Sequence, residues 1–444
     1  MYIKILLVTF IYHTSCDAKT YENYTLFRGI PTNEKEIAFF SNLSKLYEVV
    51  YWRRTVVPNK PVDFTISPTD LPRFLDSALD SGIPLTTLIE DVQSAFNKQT
   101  IKTYIRRKLR SFDWNSFYRL DDIYNWLDDL VKSYPKDLQL INIGKSLENR
   151  DIFAVRLKLQ GSMARSKVIV EGGIHAREWV GPAFVTYMLN EMVHSPFSNN
   201  KELYNVAMGF EWYFVPVINP DGYEYTHTHD RLWRKNRRGR YGIDLNRNFG
   251  IAFGTVGVSK SDKYDETYCG PSAFSEPETR VMAEFTRENS KNLMYYIAFH
   301  AYGQFFIIPY SFTPKQFDNY NDMVKLGYHV AAKIHKEYKT EYTVGNAYSC
   351  VGYLASGSST DWVKKAFKTK YVVTMELRDT GTYAFALPPE LILPTCRETM
   401  DGMIGMFSPT EPLSEFRPTS SCQQCQPSFM VKRFAVVFLC VSFI

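Results

Sequence analysis

From Ser111 to about Pro412 the chain alternates apolar strand-like runs with longer amphipathic helices, and that rhythm leaves few folds open. The strand runs are LQLINIG, DIFAVRLKL, SKVIVEG, EWYFVPVINP, LMYYIAFH and KYVVTMEL; the helical ones include GPAFVTYMLNEMV, YNDMVKLGYHVAAKIHKEY and LPPELILPTCRETMDGMIGMF. Strands that are apolar throughout must be covered on both faces, so the pattern predicts one α/β domain with helices on either side of a central sheet. Functional groups in such folds gather at the carboxyl ends of strands.

The remaining sequence is organised differently. With 444 residues the chain is long enough for about two or three domains. Residues 21 to about 110 form a separate block with strand-like SKLYEVVYWRR and KPVDFTIS and helical LPRFLDSALDSG and TTLIEDVQSAFNK, which predicts a small α+β domain. The block ends in IRRKLRSFDW, where Arg106, Arg107, Lys108 and Arg110 form an exposed linker that a trypsin-like protease can cut, after Arg110 or Arg107. Ahead of it, MYIKILLVTFIYHTSCDAKT has one Lys, an apolar run and a small-residue exit, the pattern of a secretory signal peptide over residues 1–18. Acceptor sequences at Asn23 and Asn42 are compatible with secretion and glycosylation. The charge balance, 52 basic against 47 acidic residues, is too weak and diffuse to argue for nucleic acid or an anionic membrane as partner.

Seven cysteines are scattered without a small-domain framework, and Cys422-Gln-Gln-Cys425 reads as a local clip or disulfide. Beyond Pro412, small residues at Thr419 to Ser421, a spacer and the apolar end FAVVFLCVSFI match a glycolipid-anchor signal, with free secretion as the alternative. That end is too short to span a bilayer.

The chemistry concentrates in GGIHAREW, just after SKVIVEG. His175 and Glu178 lie three residues apart in a glycine-preceded turn, so both side chains can converge on one point. An imidazole and a carboxylate are good zinc ligands, and a catalytic site takes three protein ligands with one position open. His300, at the end of LMYYIAFH, is the natural third. Glu376 closes the apolar strand KYVVTMEL, where an unpaired carboxylate is costly and its pKa rises toward that of a general base. An ion pair with Arg378, two residues on, is an equal reading from spacing. In RLWRKNRRGRYGIDLNRNFG, Arg234 and Arg247 are suited to gripping a carboxylate or a developing oxyanion.

GGIHAREW, RLWRKNRR, DLNRNF, FHAYGQ, YLASGSSTDW and MELRDTG, in this order, resemble the zinc metallocarboxypeptidases of the pancreatic carboxypeptidase A/B subfamily in proenzyme form. The likeness covers most of the chain, from KPVDFTIS and IEDVQS in the N-terminal block to the helix near residue 405. It implies a central mixed, mostly parallel sheet of about eight strands after an antiparallel prodomain, over residues 19–110, that blocks the cleft; the catalytic domain is 111–412 and the tail 413–444. It implies one Zn2+ on His175, Glu178 and His300, with Glu376 as general base and acid. Arg177 would help place the substrate carbonyl, and Arg234 would stabilise the oxyanion. Asn246, Arg247 and Tyr353 would hold the terminal carboxylate, and Asp244 would orient His175. From spacing alone Tyr353 reads as a core tyrosine.

The family's floor position for the terminal side chain falls on Thr360, with Ser358 and Thr374 nearby. An uncharged floor implies aromatic or aliphatic termini on peptide and protein substrates. The sequence departs from relatives that carry a loop disulfide, since Arg240 and Tyr264 stand at the matching positions. The expectation is a monomeric, secreted zymogen, opened by a trypsin-like protease, that removes one C-terminal residue. A zinc amidohydrolase acting elsewhere than a free carboxyl terminus and a catalytically dead binding module are the competing readings.

Overall fold

A computed structural model describes residues 18–99 and 112–407. The signal segment, the basic cut sites at Arg107 and Arg110, the Cys422 and Cys425 pair and the C-terminal tail lie outside the described residues. In the N-terminal domain the order is β1 (Thr25–Gly29), α1 (Glu34–Leu46), β2 (Val49–Arg53), β3 (Val62–Ile66), α2 (Leu71–Asp80), β4 (Leu85–Ile89) and α3 (Val92–Gln99). Its antiparallel sheet runs β2-β3-β1-β4. One face packs Phe27, Phe40, Phe64 and Phe74 together, and each such buried side chain contributes roughly 1.5–3 kcal/mol.

Two local readings change. Leu85 to Ile89 is a strand rather than the start of a helix, because Thr86, Thr87 and Ile89 are β-branched and pair with β1; the helix begins only at Val92. The run SKLYEVVYWRR is likewise split: Ser44 to Leu46 finish α1, an element the strand-like pattern hid, and Val49 starts β2. Asn33 caps α1 by accepting from the Glu36 N–H, and Glu36 reaches back to the Thr32 N–H.

The large domain continues with α4 (Leu120–Ser133), β5 (Leu138–Lys145), β6 (Asp151–Leu157), β7 (Lys167–Gly172), α5 (Val180–His194), α6 (Lys201–Gly209), β8 (Glu211–Val215), α7 (Pro220–Thr228), α8 (Pro277–Glu288), β9 (Leu293–Ala301), β10 (Phe305–Ile308), α9 (Tyr320–Tyr338), β11 (Thr343–Asn346), α10 (Ala347–Val351), α11 (Ser359–Phe367), β12 (Tyr371–Leu377) and α12 (Ile392–Phe407). Its eight strands run in the order β11-β10-β12-β9-β7-β8-β6-β5. The central strands β8, β7, β9 and β12 are mutually parallel, and the antiparallel pairings lie outward of them. All six strand runs anticipated for this domain are strands. Helix α5 packs on one side of the sheet, and α11 lies against β9 and β12. β9 is buried almost throughout, because helices cover both its faces.

Among the described residues no helix is long and apolar enough to cross a membrane. Cys269, Cys350 and Cys396 are buried. The loop that lacks the disulfide is held instead by Lys235, whose Nζ donates to the carbonyls of Lys263 and Asp265 at 2.9 and 2.7 Å.

Candidate active site

Parallel pairing of β7, β9 and β12 brings their carboxyl ends side by side, and His175, His300 and Glu376 follow from that alignment. Glu376 lies directly opposite His300 in the β12 to β9 register. The turn after β7 requires glycine at Gly173, whose φ is +65°, a conformation that strains other residues. Ala176 N–H donates to the Arg234 carbonyl at 2.9 Å, which ties the basic loop to the same turn.

His175, Glu178 and His300 converge, with one candidate ligand atom from each lying within 4.8 Å of the others. His175 Nδ1 is 2.8 Å from Glu178 Oε1, His300 Nδ1 is 2.9 Å from Glu178 Oε2, and the two Nδ1 atoms are 3.1 Å apart. All three side chains are buried. Two imidazole nitrogens and a carboxylate facing one point are the two-His, one-carboxylate donor set of a catalytic zinc.

Behind this point sits Asp244. Its Oδ1 lies 3.3 Å from His175 Nε2 and accepts the Asn246 N–H at 3.0 Å, while Oδ2 accepts from Arg234 Nε and Nη2 at 3.1 and 2.9 Å. Burial opposes its ionisation, but Arg234, Arg247 and His175 outweigh it and hold the carboxyl well below its ordinary range. One carboxylate therefore positions an imidazole and a guanidinium together. The Asp244→Ala variant is expected to bind metal about 10–100-fold more weakly, as read by chelator competition; unchanged affinity would show that the contact to His175 is incidental.

Arg234 keeps Nη1 free to face Glu178 Oε1 at 3.6 Å. Burial pushes the Glu376 carboxyl up to about 7, with His300 pulling it down and the Glu178 charge pushing it up. Arg378 does not pair with Glu376: its guanidinium is bidentate on Glu398 of α12, at 2.7 Å through Nε. The ion-pair reading of Glu376 therefore falls away.

A cavity of about 490 Å3 opens over this cluster and is lined by Arg177, Glu178, Arg234, Arg247, Tyr353 and Glu376 among others. Tyr353 is exposed at 38% on the loop after α10, not in the core, so its spacing-based reading is corrected. Arg247 donates through Nη1 to the Asn246 carbonyl at 2.9 Å. The loop carrying it is pressed against Gly357, where a Cβ would stand 2.2 Å from the Arg247 carbonyl oxygen. Asn246 and Thr360 are buried behind the cavity rather than on its lining, and the Thr360 hydroxyl meets that of Thr374 at 3.2 Å. Arg177 is bidentate on Glu266, at 3.1 and 2.7 Å, and lies over the Phe385 ring.

Sequence reasoning missed Glu266, Phe385 and Tyr302, which frame the cavity, and the residues of the N-terminal domain that roof it, Tyr51 to Thr55 and Asn59 to Pro61. FHAYGQ had flagged the Tyr302 segment without giving it a role; nothing local marks the roof.

Residues 123–402 match the zinc carboxypeptidase family, and residues 27–99 match the carboxypeptidase activation peptide. The chain is similar to Zinc carboxypeptidase A 1 of Anopheles gambiae, 36% identical over 400 residues, covering 88% of this chain and 91% of the relative. It is 32% identical over 380 residues to human Carboxypeptidase B2, covering 83% and 89% respectively. The crystal structure of thrombin activatable fibrinolysis inhibitor superposes with a TM-score of 0.82 at 29% identity, covering 89% of this chain and 100% of that one.

Proposed function

This chain belongs to the zinc carboxypeptidase family and carries an activation peptide, and on that premise we propose that it is secreted and that, once cut, it removes aromatic or aliphatic residues from the C-termini of peptides. It is a zinc metallocarboxypeptidase made as a zymogen.

The observation that carries the residue roles is the convergence of His175, Glu178 and His300 beneath Glu376 in one arginine-lined cavity. The first three hold the zinc. Bound there, zinc supplies Lewis acidity toward the scissile carbonyl and acidity to water. Glu376 takes the proton from the attacking water and returns it to the leaving amine, a task its raised pKa suits. Arg234, locked by Asp244 with Nη1 to spare, faces the developing oxyanion. Arg247 and Tyr353, which line the cavity, hold the terminal carboxylate, Arg247 as a fork and Tyr353 as a side chain that closes from the loop; Asn246, buried beside Arg247 in the chain and off the lining, adds its amide to the grip once the substrate's end is seated. Arg177 helps place the substrate carbonyl after exchanging part of its contact with Glu266. This carboxylate grip favours an exopeptidase over an amidohydrolase.

Thr360 and Thr374 share one hydroxyl hydrogen bond and offer no counter-charge, which supports neutral terminal side chains. The test is release of the last residue from matched peptides ending in Phe, Leu, Lys and Glu, with trypsin-treated protein and with a zinc chelator. We expect chelator-sensitive release of Phe and Leu at least about tenfold faster than of Lys or Glu. Faster release of Lys or Glu would overturn the reading of Thr360, and no release from any peptide would overturn the proposed substrate class.

The activating cut falls after Arg110 or Arg107, in the basic run Arg106, Arg107, Lys108 and Arg110, which suits a trypsin-like protease.

A further inference from the structure

Glu171 has no part in the chemistry above, yet it is a carboxyl buried to 1% exposure near the carboxyl end of β7, four residues before His175. Its Oε1 accepts from the Ser359 hydroxyl at 2.7 Å, and its Oε2 accepts from the Tyr296 hydroxyl of β9. Among the described residues no cation forms an ion pair with it. A carboxyl so placed is expensive, and an apolar side chain of the same size would hold the sheet together at less cost.

What it secures is the start of α11. Ser359 is the first residue of that helix, so its N–H is one of those left without a partner inside the helix. That N–H is donated to Asn246 Oδ1 at 3.0 Å. Glu171 holds the Ser359 side chain while the Ser359 backbone holds the Asn246 amide oxygen. With that oxygen committed, the amide's orientation is fixed and its two N–H donors face away from the helix. The next residue along the helix is Thr360, set against Thr374.

We propose that Glu171 is a positioning residue for substrate recognition: through Ser359 it fixes both the Asn246 amide that receives the terminal carboxylate and the Thr360 floor that receives the terminal side chain. This rests on the roles given above to Asn246 and Thr360. Glu171 acts on binding of the substrate's end and not on proton transfer, so its loss separates KM from kcat.

The experiment uses the trypsin-treated full chain and a peptide ending in Phe. Glu171→Met, which keeps the volume and removes the acceptor, and Ser359→Ala are each expected to raise KM about tenfold, the effect of a lost buried hydrogen bond, with kcat within about twofold. Zinc content is expected to stay at the wild-type level. The double variant is expected to be no worse than either single one, because both break the same link. Glu171→Gln, which still offers an oxygen to Ser359, is expected to recover most of the loss. Wild-type KM in Ser359→Ala, multiplied losses in the double variant, or a fall in kcat at constant KM would each overturn the proposal, and Ser359→Ala carries the test should Glu171→Met fail to fold. Asn246→Ala runs in parallel: if it leaves KM unchanged, the carboxylate reading has failed; if it raises KM while Ser359→Ala does not, only the positioning role has.

Discussion

Replacing Glu376 with Gln is expected to lower kcat by about 10^2–10^4 while leaving zinc and substrate binding near wild type. The substitution keeps the shape of the side chain and removes its ability to carry a proton. Glu376 stands opposite His300 in the sheet register and has no ion-pair partner among the described residues, since Arg378 is committed to Glu398. Nothing in the packing therefore depends on its charge. Burial pushes its pKa up to about 7, and a dication bound at the proposed His175, Glu178 and His300 site would pull it down, so the acid limb of kcat/KM should lie below about 7. The sign follows from the base role: activity needs the ionised form, so kcat/KM rises as pH rises through that limb. The variant should lose the limb together with its rate. Residual turnover within about tenfold of wild type, at full zinc content, would sink the assignment and move proton transfer elsewhere.

The candidate site was legible in the sequence where it depends on local pattern. His175 and His300 sit at the ends of runs whose apolarity forecasts strands covered on both faces, with Glu178 one turn on from His175, and the parallel pairing implied by the family resemblance places the carboxyl ends of those strands together. Where the outcome depends on distant partners, the sequence was silent. Arg378 follows Glu376 by two residues, just past the end of β12, and only the approach of Glu398 on α12 decides that the arginine pairs with it instead. Tyr353 carries no local sign of exposure, because its loop is set by the turn after α10. The N-terminal block was read correctly as α+β, yet α1 and β4 were obscured, since β-branched residues beside helix formers fit either period until the partner strand is known. The link from Glu171 through Ser359 to Asn246 joins residues 188 and 113 positions apart, beyond the reach of any local pattern.

The intact chain is expected to show less than about 1% of the activity it gains on cleavage, because substrate meets only the fraction of molecules whose N-terminal domain has swung clear. Several independent contacts keep that fraction low. Trp52 stacks on Phe385 at 5.4 Å, and Lys60 donates to the carbonyls of Ser349 and Cys350 at 3.1 and 3.2 Å, just ahead of Tyr353. Asp63, fully buried, accepts from Arg28 at 2.6 Å and from the Tyr302 hydroxyl at 2.7 Å; Arg28 reaches on to the Thr380 carbonyl. Arg54 pairs with Asp265 beside Glu266, the partner of Arg177. At the far end Gln99 donates to the carbonyls of Phe385 and Leu387 and accepts from the buried Arg231. While the domains are one chain these contacts are intramolecular and re-form after every opening; a cut between them turns re-formation into a concentration-dependent event. Activity after trypsin treatment should therefore rise by at least about 100-fold and rise further on dilution, as the freed domain dissociates. A chain with Arg106, Arg107, Lys108 and Arg110 all changed to Gln should stay latent under the same treatment. Equal activity before and after the cut would mean that the roof over Glu376 opens freely in the uncut chain, and that its contacts hold the domain in place without closing the site.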